Sequence, residues 1–341
     1  MRWMNAACAI RAAGLILAFG LAWPAIAGPR EDAFTAYSRQ EYATTVRLLK
    51  PLADQGDAGA QNNLGSMYAD GQGVPKDDVQ AVKWYRLAAD QGYAMAQDNL
   101  GLMYTNGRGV PKDDAQAVKW YRLAADQGDA WAQNKLGFMY ANGQGVPKDD
   151  AQAVKWYRLA ADQGYAMAQV NLGNMYANGQ GVPKDDAQAM KWYRLAADQG
   201  KAGAQYNLGL MYANGRGVPK DDAQAVKWYR LAADQGDAGA QHNLGFMYNN
   251  GQGVPKDDVQ AVKWYRLAAD QGDAMAQVNL GSMYANGQGV PRDYVLAYMW
   301  LNLGAARGNE IGRKNRDFIA PRMTLADISE AQRLSREWKP K

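Results

Sequence analysis

Few residues of this chain are equipped for bond-making chemistry. Its 341 residues include one histidine, His242, and one cysteine, Cys8. A zinc cage needs several Cys or His ligands, and a thiol nucleophile needs a base beside it; neither can be assembled. No Ser or Cys stands at a recognisable triad spacing from His242, so its lone imidazole suits either a partner's carboxylate or an ordinary surface position. A recurring Lys-Asp-Asp, as at Lys76-Asp77-Asp78, sets carboxylates beside a glycine-rich loop. Calcium loops take ligands from alternating positions and a later Glu, a pattern missing here. Asp77 is therefore read as a helix cap and Asp78 as an acid at the positive end of the helix dipole. Gly-x-Gly-Val-Pro shares only its glycines with a phosphate cradle, because proline removes an amide and no Gly-Lys-Ser/Thr follows. No catalytic residue, cofactor or metal is expected, and binding becomes the leading reading.

Charge narrows the binding partners. Lys and Arg number 38 against 34 Asp and Glu, a formal +4. Subtracting the two charges of Arg2 and Arg11, which sit in an acid-free leader, leaves +2 on the remainder. That excess is too small for a dedicated nucleic-acid binder. The leader itself reads as a secretory signal: a basic start to Arg11, an apolar run from Ala12 to Ala22, then Trp23-Pro24-Ala25-Ile26-Ala27. The run is shorter than the ~20 apolar residues a bilayer span needs. Cleavage is expected after Ala27, and Cys8 departs with the signal. The mature chain is expected to be exported to a bacterial periplasm or secreted, without an integral membrane segment. An endoplasmic-reticulum adaptor would also carry a signal, but the chain closes on Lys339-Pro340-Lys341 and not on a retention tail.

The elements that position these residues come from a repeat. Trp84, Trp120, Trp156, Trp192, Trp228, Trp264 and Trp300 stand 36 residues apart. Cut before Asp57, the chain gives seven units over 57–308: 57–92, 93–128, 129–164, 165–200, 201–236, 237–272 and 273–308. A fixed period of this length indicates a stacked helical array. Within the first unit, Ala60, Leu64, Met67 and Tyr68 form one helical stripe. Gly71 suits a left-handed helix end, and Pro75 biases Val74 away from helix. Asp77 and Gln80 fit a capping box, and Ala81, Trp84, Tyr85 and Ala88 form the buried stripe of a second helix. Gln80, Lys83 and Arg86 are expected to face solvent. Gly65 and Ala81 let the two backbones approach. One hairpin cannot bury both stripes, so stability must come from stacking. Residues 28–56, with a degenerate hairpin at 31–54, and residues 309–341, with Thr324 and Asp327 as a second capping box, are expected to close the two ends.

The motifs Ala-x-Ala-Gln-x-Asn-Leu-Gly-x-Met-Tyr, Asn-Gly-x-Gly-Val-Pro-Lys-Asp and Ala-Val-Lys-Trp-Tyr-Arg-Leu-Ala-Ala resemble the Sel1-like repeat family, a relative of the tetratricopeptide repeat. The resemblance covers 57–308 strongly. It implies an all-α, right-handed α-solenoid of stacked antiparallel hairpins, binding proteins on its concave side. Members serve as adaptors in complexes; exported bacterial members act in envelope signalling or host interaction. A cysteine-rich branch binds or hydrolyses β-lactams and carries a disulfide in each repeat, which this chain lacks.

The copies differ chiefly at positions three, six and ten of each unit. Position three reads Gly59, Met95, Trp131, Met167, Gly203, Gly239 and Met275. Position six reads Asn62, Asp98, Asn134, Val170, Tyr206, His242 and Val278. Position ten reads Ser66, Leu102, Phe138, Asn174, Leu210, Phe246 and Ser282. Spacings of three and four put them on one face of the first helix. The family resemblance places that face in the concave groove. The expected partner-binding residues are Met95, Trp131, Met167, Met275, Val170, Tyr206, His242, Val278, Leu102, Phe138, Leu210 and Phe246. Packing between neighbouring helices and drift among recent duplicates are the competing explanations.

The tail from Arg307 to Lys341 carries nine basic residues against five acids. It reads as a solvated cap, with contact to an anionic membrane or acidic partner as the alternative. The expected function is a non-enzymatic scaffold that binds a protein or peptide segment. The alternatives are a β-lactam-processing protein and a cell-wall-associated structural protein.

Overall fold

The computed structural model describes residues 28–341, and the signal segment expected at 1–27 lies outside them. The described chain is all-α and resolves into two compact units that meet in sequence at Trp156 and Tyr157. The first unit holds α1 (Pro29–Ser38), α2 (Tyr42–Asp54), α3 (Ala58–Asp70), α4 (Asp78–Asp90), α5 (Ala94–Asn106), α6 (Asp114–Asp126), α7 (Ala130–Asn142) and the start of α8 (Asp150–Asp162). The second holds the rest of α8, then α9 (Ala166–Asn178), α10 (Asp186–Asp198), α11 (Ala202–Asn214), α12 (Asp222–Asp234), α13 (Ala238–Asn250), α14 (Asp258–Asp270), α15 (Ala274–Asn286) and α16 (Tyr294–Ala306). It ends in α17 (Glu310–Ile319), a 3-10 turn (Ala320–Arg322) and α18 (Leu325–Glu337). Each unit is a solenoid segment of antiparallel hairpins, one first helix and one second helix per repeat.

Local chemistry sets the hairpin. Asp77 Oδ1 accepts from the amides of Val79 and Gln80, each at 3.0 Å, and so starts α4. The Gln80 side chain sends no bond back, so the expected box is a one-sided cap, and Gln80 is half-buried instead of solvated. Gly71 ends α3 in the left-handed region at φ +72°, where a side chain would be strained. The Thr324–Asp327 box closes in both directions. A Cβ on Gly65 would meet the Tyr85 ring at 2.7 Å, which is why this position is glycine. Leu64 and the stripe Ala81, Trp84, Tyr85 and Ala88 are buried as their periodicity requires. Tyr68 is only half-buried. In the following repeats the corresponding tyrosine hydroxyls are met by an arginine of the preceding second helix, as Arg86 meets Tyr104 and Arg194 meets Tyr212 at 2.7 Å.

Stacking is fastened by glutamines. Gln205 Nε2 donates to Ala197 O of the preceding second helix at 3.2 Å, and Gln235 Nε2 donates to Gln205 Oε1 at 2.7 Å. The same two-amide staple joins Gln241 to Ala233 O and Gln271, and in the first unit Gln97 to Ala89 O and Gln127. Each of these helix-end carbonyls also takes the amide of the glycine that follows, as Ala197 O takes Gly200 N at 2.9 Å, so the glutamine adds a second bond that ties one hairpin to the next. In the last repeat Arg307 replaces the outer glutamine and turns to Gly272 O, so Gln277 Oε1 has no partner among the described residues.

The ends are sealed differently. In the first unit Ala33, Leu49 and Ala53 of α1 and α2 pack with Leu64, Met67 and Trp84. In the second, Ile319 and Ala331 close over Tyr298, Trp300 and Leu301, and Trp338 packs edge-on to Trp300 at 6.4 Å. Much of the basic tail is paired: Arg313 with Glu310, Arg316 with Asp317, Arg333 with Glu330 and Glu337, and Lys341 with Asp270. Among the described residues, no helix is long and apolar enough to cross a membrane.

Candidate partner-binding site

Positions three, six and ten share one side of each first helix, but at different depths. Position three is outermost: Met95 in the first unit and Met167 and Met275 in the second are exposed. At position ten, Phe138 and Phe246 are 44% and 45% exposed, whereas Leu102 and Leu210 are half-buried. Position six lies deepest. Asn62, Asp98 and Asn134 are buried, and Val170, Tyr206 and His242 are half-buried.

The floor under position six is the tyrosine of the hairpin's second helix. Tyr206 tilts over Tyr229 at 6.1 Å between ring centroids, and His242 over Tyr265 at 5.8 Å. In the first unit Trp131 packs edge-on to Tyr121 at 5.7 Å, and Lys135 Nζ lies 4.8 Å from the Trp131 ring centre. Trp131 is therefore half-buried, with its ring spent partly on packing. Burial pushes the Tyr193 hydroxyl up to about 12 and raises Tyr229 and Tyr265 further, so these phenols stay neutral donors. Where position ten is polar it receives them: Tyr85 donates to Ser66 Oγ at 3.1 Å and Tyr193 to Asn174 Oδ1 at 2.6 Å.

Val278 does not belong to an exposed face. It is 2% exposed, and the space beside its Cγ2 is so tight that Gly304 and Gly312 leave no room there for a Cβ. Helix α17 follows the last repeat and covers the surface that the next repeat's first helix covers elsewhere, so the residue expected on the groove is core.

His242 is also held inward. Its Nε2 stands 3.1 Å from Asn279 Nδ2, and an amide nitrogen only donates, so the pair suits the neutral ring. Burial holds the imidazole below its usual range, opposed by Asp273 and by a hydrogen bond with Asn243. This geometry serves packing between repeats rather than a proton relay.

One feature of the face is not a variable position at all. Position seven carries Asn63, Asn99, Asn171, Asn207, Asn243 and Asn279, with Lys135 in the third unit. These amides are half-buried and reach back to the preceding repeat, Asn99 Nδ2 to Asn62 Oδ1 at 3.0 Å and Asn207 Nδ2 to Asn174 Oδ1 at 3.4 Å. Differences among the copies do not mark a row that hardly varies; its signal is an amide recurring on the helix side away from the apolar stripe. Each unit thus presents exposed apolar tips beside a row of amides, a surface suited to holding a peptide by its side chains and its backbone.

The Sel1 repeat model matches seven times, at residues 58–93, 94–129, 132–165, 166–201, 202–237, 238–273 and 274–309. No curated protein matches the chain. Among solved structures, a Sel1 repeat protein from Oxalobacter formigenes is similar at 36% identity and a TM-score of 0.68, over 94% of this chain and 90% of that one. The protective antigen c5321 of uropathogenic Escherichia coli, which displays an SLR fold, is 33% identical over 91% of this chain and 84% of its own, with a TM-score of 0.47. With the repeat model matched across most of its length and a solved relative aligned along nearly all of it, this chain belongs to the Sel1 repeat family.

Proposed function

We propose that the protein is an exported, non-catalytic scaffold of a bacterial envelope that binds a segment of a partner protein on its first-helix faces. Sel1 repeat proteins generally mediate protein–protein interaction, and the leader at residues 1–27 supports export. The observation that carries the reading is the exposure of Phe138 and Phe246, 44% and 45%. Their repeats pack without needing a ring there, since Ser66, Asn174 and Ser282 occupy the same position in other copies. Large apolar side chains left in water at a position free to be polar fit a docking surface. The half-buried Trp131 and Tyr206 flank them, and Met95, Met167 and Met275 add adaptable apolar contact. The Asn row supplies donors and acceptors for an extended backbone.

The test is affinity capture from an envelope extract with residues 28–341 beside the Phe138→Ala/Phe246→Ala variant. A protein retained by wild type and lost from the variant, with far-UV circular dichroism unchanged, is the expected result. Equal capture by both would return the two rings to packing.

A further inference from the structure

The second unit contains a cavity of about 410 Å³ where α15, α16, α17 and the 3-10 turn meet. Ser282 and Asn286 of α15, Asn315 of α17, Tyr294, Arg292 and Arg322 give it a polar wall, and no Asp or Glu lines it. The cavity sits where the repeat departs from its own pattern. In four of the six earlier repeats the loop lysine is paired with the aspartate two residues on: Lys112 with Asp114 at 3.8 Å, Lys148 with Asp150 at 3.6 Å, Lys220 with Asp222 at 3.5 Å and Lys256 with Asp258 at 3.7 Å. In the other two that aspartate, Asp78 or Asp186, pairs with Arg108 or Arg216 of the next loop at 2.6 Å. In the seventh repeat Lys-Asp-Asp becomes Arg292-Asp293-Tyr294. The cation is kept, in the form that pairs with a planar oxyanion through two parallel donors. The acid that would cancel it has become a phenol. Asp293 is occupied in capping α16, accepting from the Leu296 amide at 2.9 Å.

The second guanidinium comes from the terminal cap. Arg322 lies over the Phe318 ring, 4.1 Å from its centre, and neither it nor Arg292 pairs with a carboxylate among the described residues. Two uncancelled arginines, a phenol, two amides and a hydroxyl thus surround a space with Leu301 on its floor. Its volume falls within the range of small-ligand pockets, roughly 300–1,000 Å³. A bare inorganic ion would leave the apolar floor and most of that volume unused.

We infer that this cavity binds the carboxylate of a small organic acid with an apolar body, Arg292 and Arg322 meeting the carboxylate while Tyr294, Asn286 and Asn315 orient it. The cavity shares Ser282 with the first-helix face of the seventh repeat, but its two arginines, its phenol and Asn315 lie outside positions three, six and ten, so the assignment does not rest on the proposed docking surface. N-acetylphenylalanine, its neutral amide and inorganic phosphate serve as probes, followed by calorimetry on the full mature chain. N-acetylphenylalanine should bind and its amide should bind at least about tenfold more weakly, the loss of one charge-assisted contact. Arg292→Gln should cost about the same factor. Tyr294→Asp is the sharper variant, since other repeats carry Asp there without harm to the fold: it supplies the missing acid, and binding should vanish while the thermal midpoint holds. Equal binding of acid and amide, no binding of the acid, binding of phosphate alone, or undiminished binding by Tyr294→Asp would each overturn the assignment.

Discussion

The glutamine staple makes a prediction that compares two copies of one residue. Gln241 makes two buried bonds: its Nε2 donates to Ala233 O at 3.1 Å, and its Oε1 accepts from Gln271 Nε2 at 2.8 Å. Gln277, its counterpart one repeat on, donates to Ala269 O at 3.2 Å, and its Oε1 has no partner among the described residues. Leucine nearly matches glutamine in volume, so Gln241→Leu and Gln277→Leu gain similar apolar burial and differ in polar cost. Each lost bond is worth about 1 kcal/mol, while a buried acceptor without a partner costs about 1–3 kcal/mol. Ala233 O and Ala269 O each keep the amide of a following glycine, so neither is orphaned. Gln271 likewise keeps Gly236 O at 3.0 Å. Gln241→Leu should therefore lose about 2 kcal/mol, and Gln277→Leu about zero, because one lost bond is offset by removal of the stranded oxygen. The assay is urea unfolding followed by circular dichroism, with native-state hydrogen exchange to localise the loss to α12–α14, since long repeat arrays need not unfold in one step. Equal destabilisation by the two variants would refute the staple as the source of stacking energy.

Three further outcomes follow from the same structure. Lys201 occupies the N-cap of α11 with no side-chain bond, where Asp237 accepts from the Ala240 amide at 2.8 Å one repeat later; Lys201→Asp should stabilise by about 1 kcal/mol in urea titration, and no gain over Lys201→Ala would contradict the capping account. A Cβ on Gly173 would meet the Tyr193 ring at 2.6 Å, so Gly173→Ala should cost about 1–3 kcal/mol and lower the thermal midpoint, an unchanged midpoint meaning that the contact yields freely. Burial lowers the His242 pKa from 6.5; between that value and the folded one the unfolded chain holds more protons, so stability is complete above pH 6.5 and falls as acid is added. His242→Asn, the residue present at Asn62 and Asn134, should remove that dependence, and parallel pH profiles for wild type and variant would refute it.

The hairpin was legible because its signals are local. Periodicity located the Trp84–Tyr85 stripe, glycine and proline located the loop, and Asp77 the cap. The variable face was legible in direction but not in depth. Spacing places Val278 beside Met275, yet its burial depends on α17, which lies beyond the repeat and has no copy for comparison. Trp131 likewise reads as a free anchor until Tyr121 is found beneath it. The glutamine and asparagine rows escaped for another reason: they hardly vary, and hydropathy marks them as surface. Their burial is stabilised by partners outside their own helix, Ala53 O and Gln91 for Gln61 and Asn62 for Asn99.

The central claim is that partner binding resides on the first-helix face. Phe246 on that face and Leu267 on a second helix of the same unit are almost equally exposed, 45% and 41%. The measurement is the dissociation constant of the protein captured by wild type, determined by calorimetry for wild type, Phe246→Ala and Leu267→Ala. A buried aromatic anchor is worth about 2 kcal/mol, roughly thirtyfold in affinity. The account predicts that loss for Phe246→Ala and an unchanged constant for Leu267→Ala; equal losses, or a loss confined to Leu267→Ala, would contradict it.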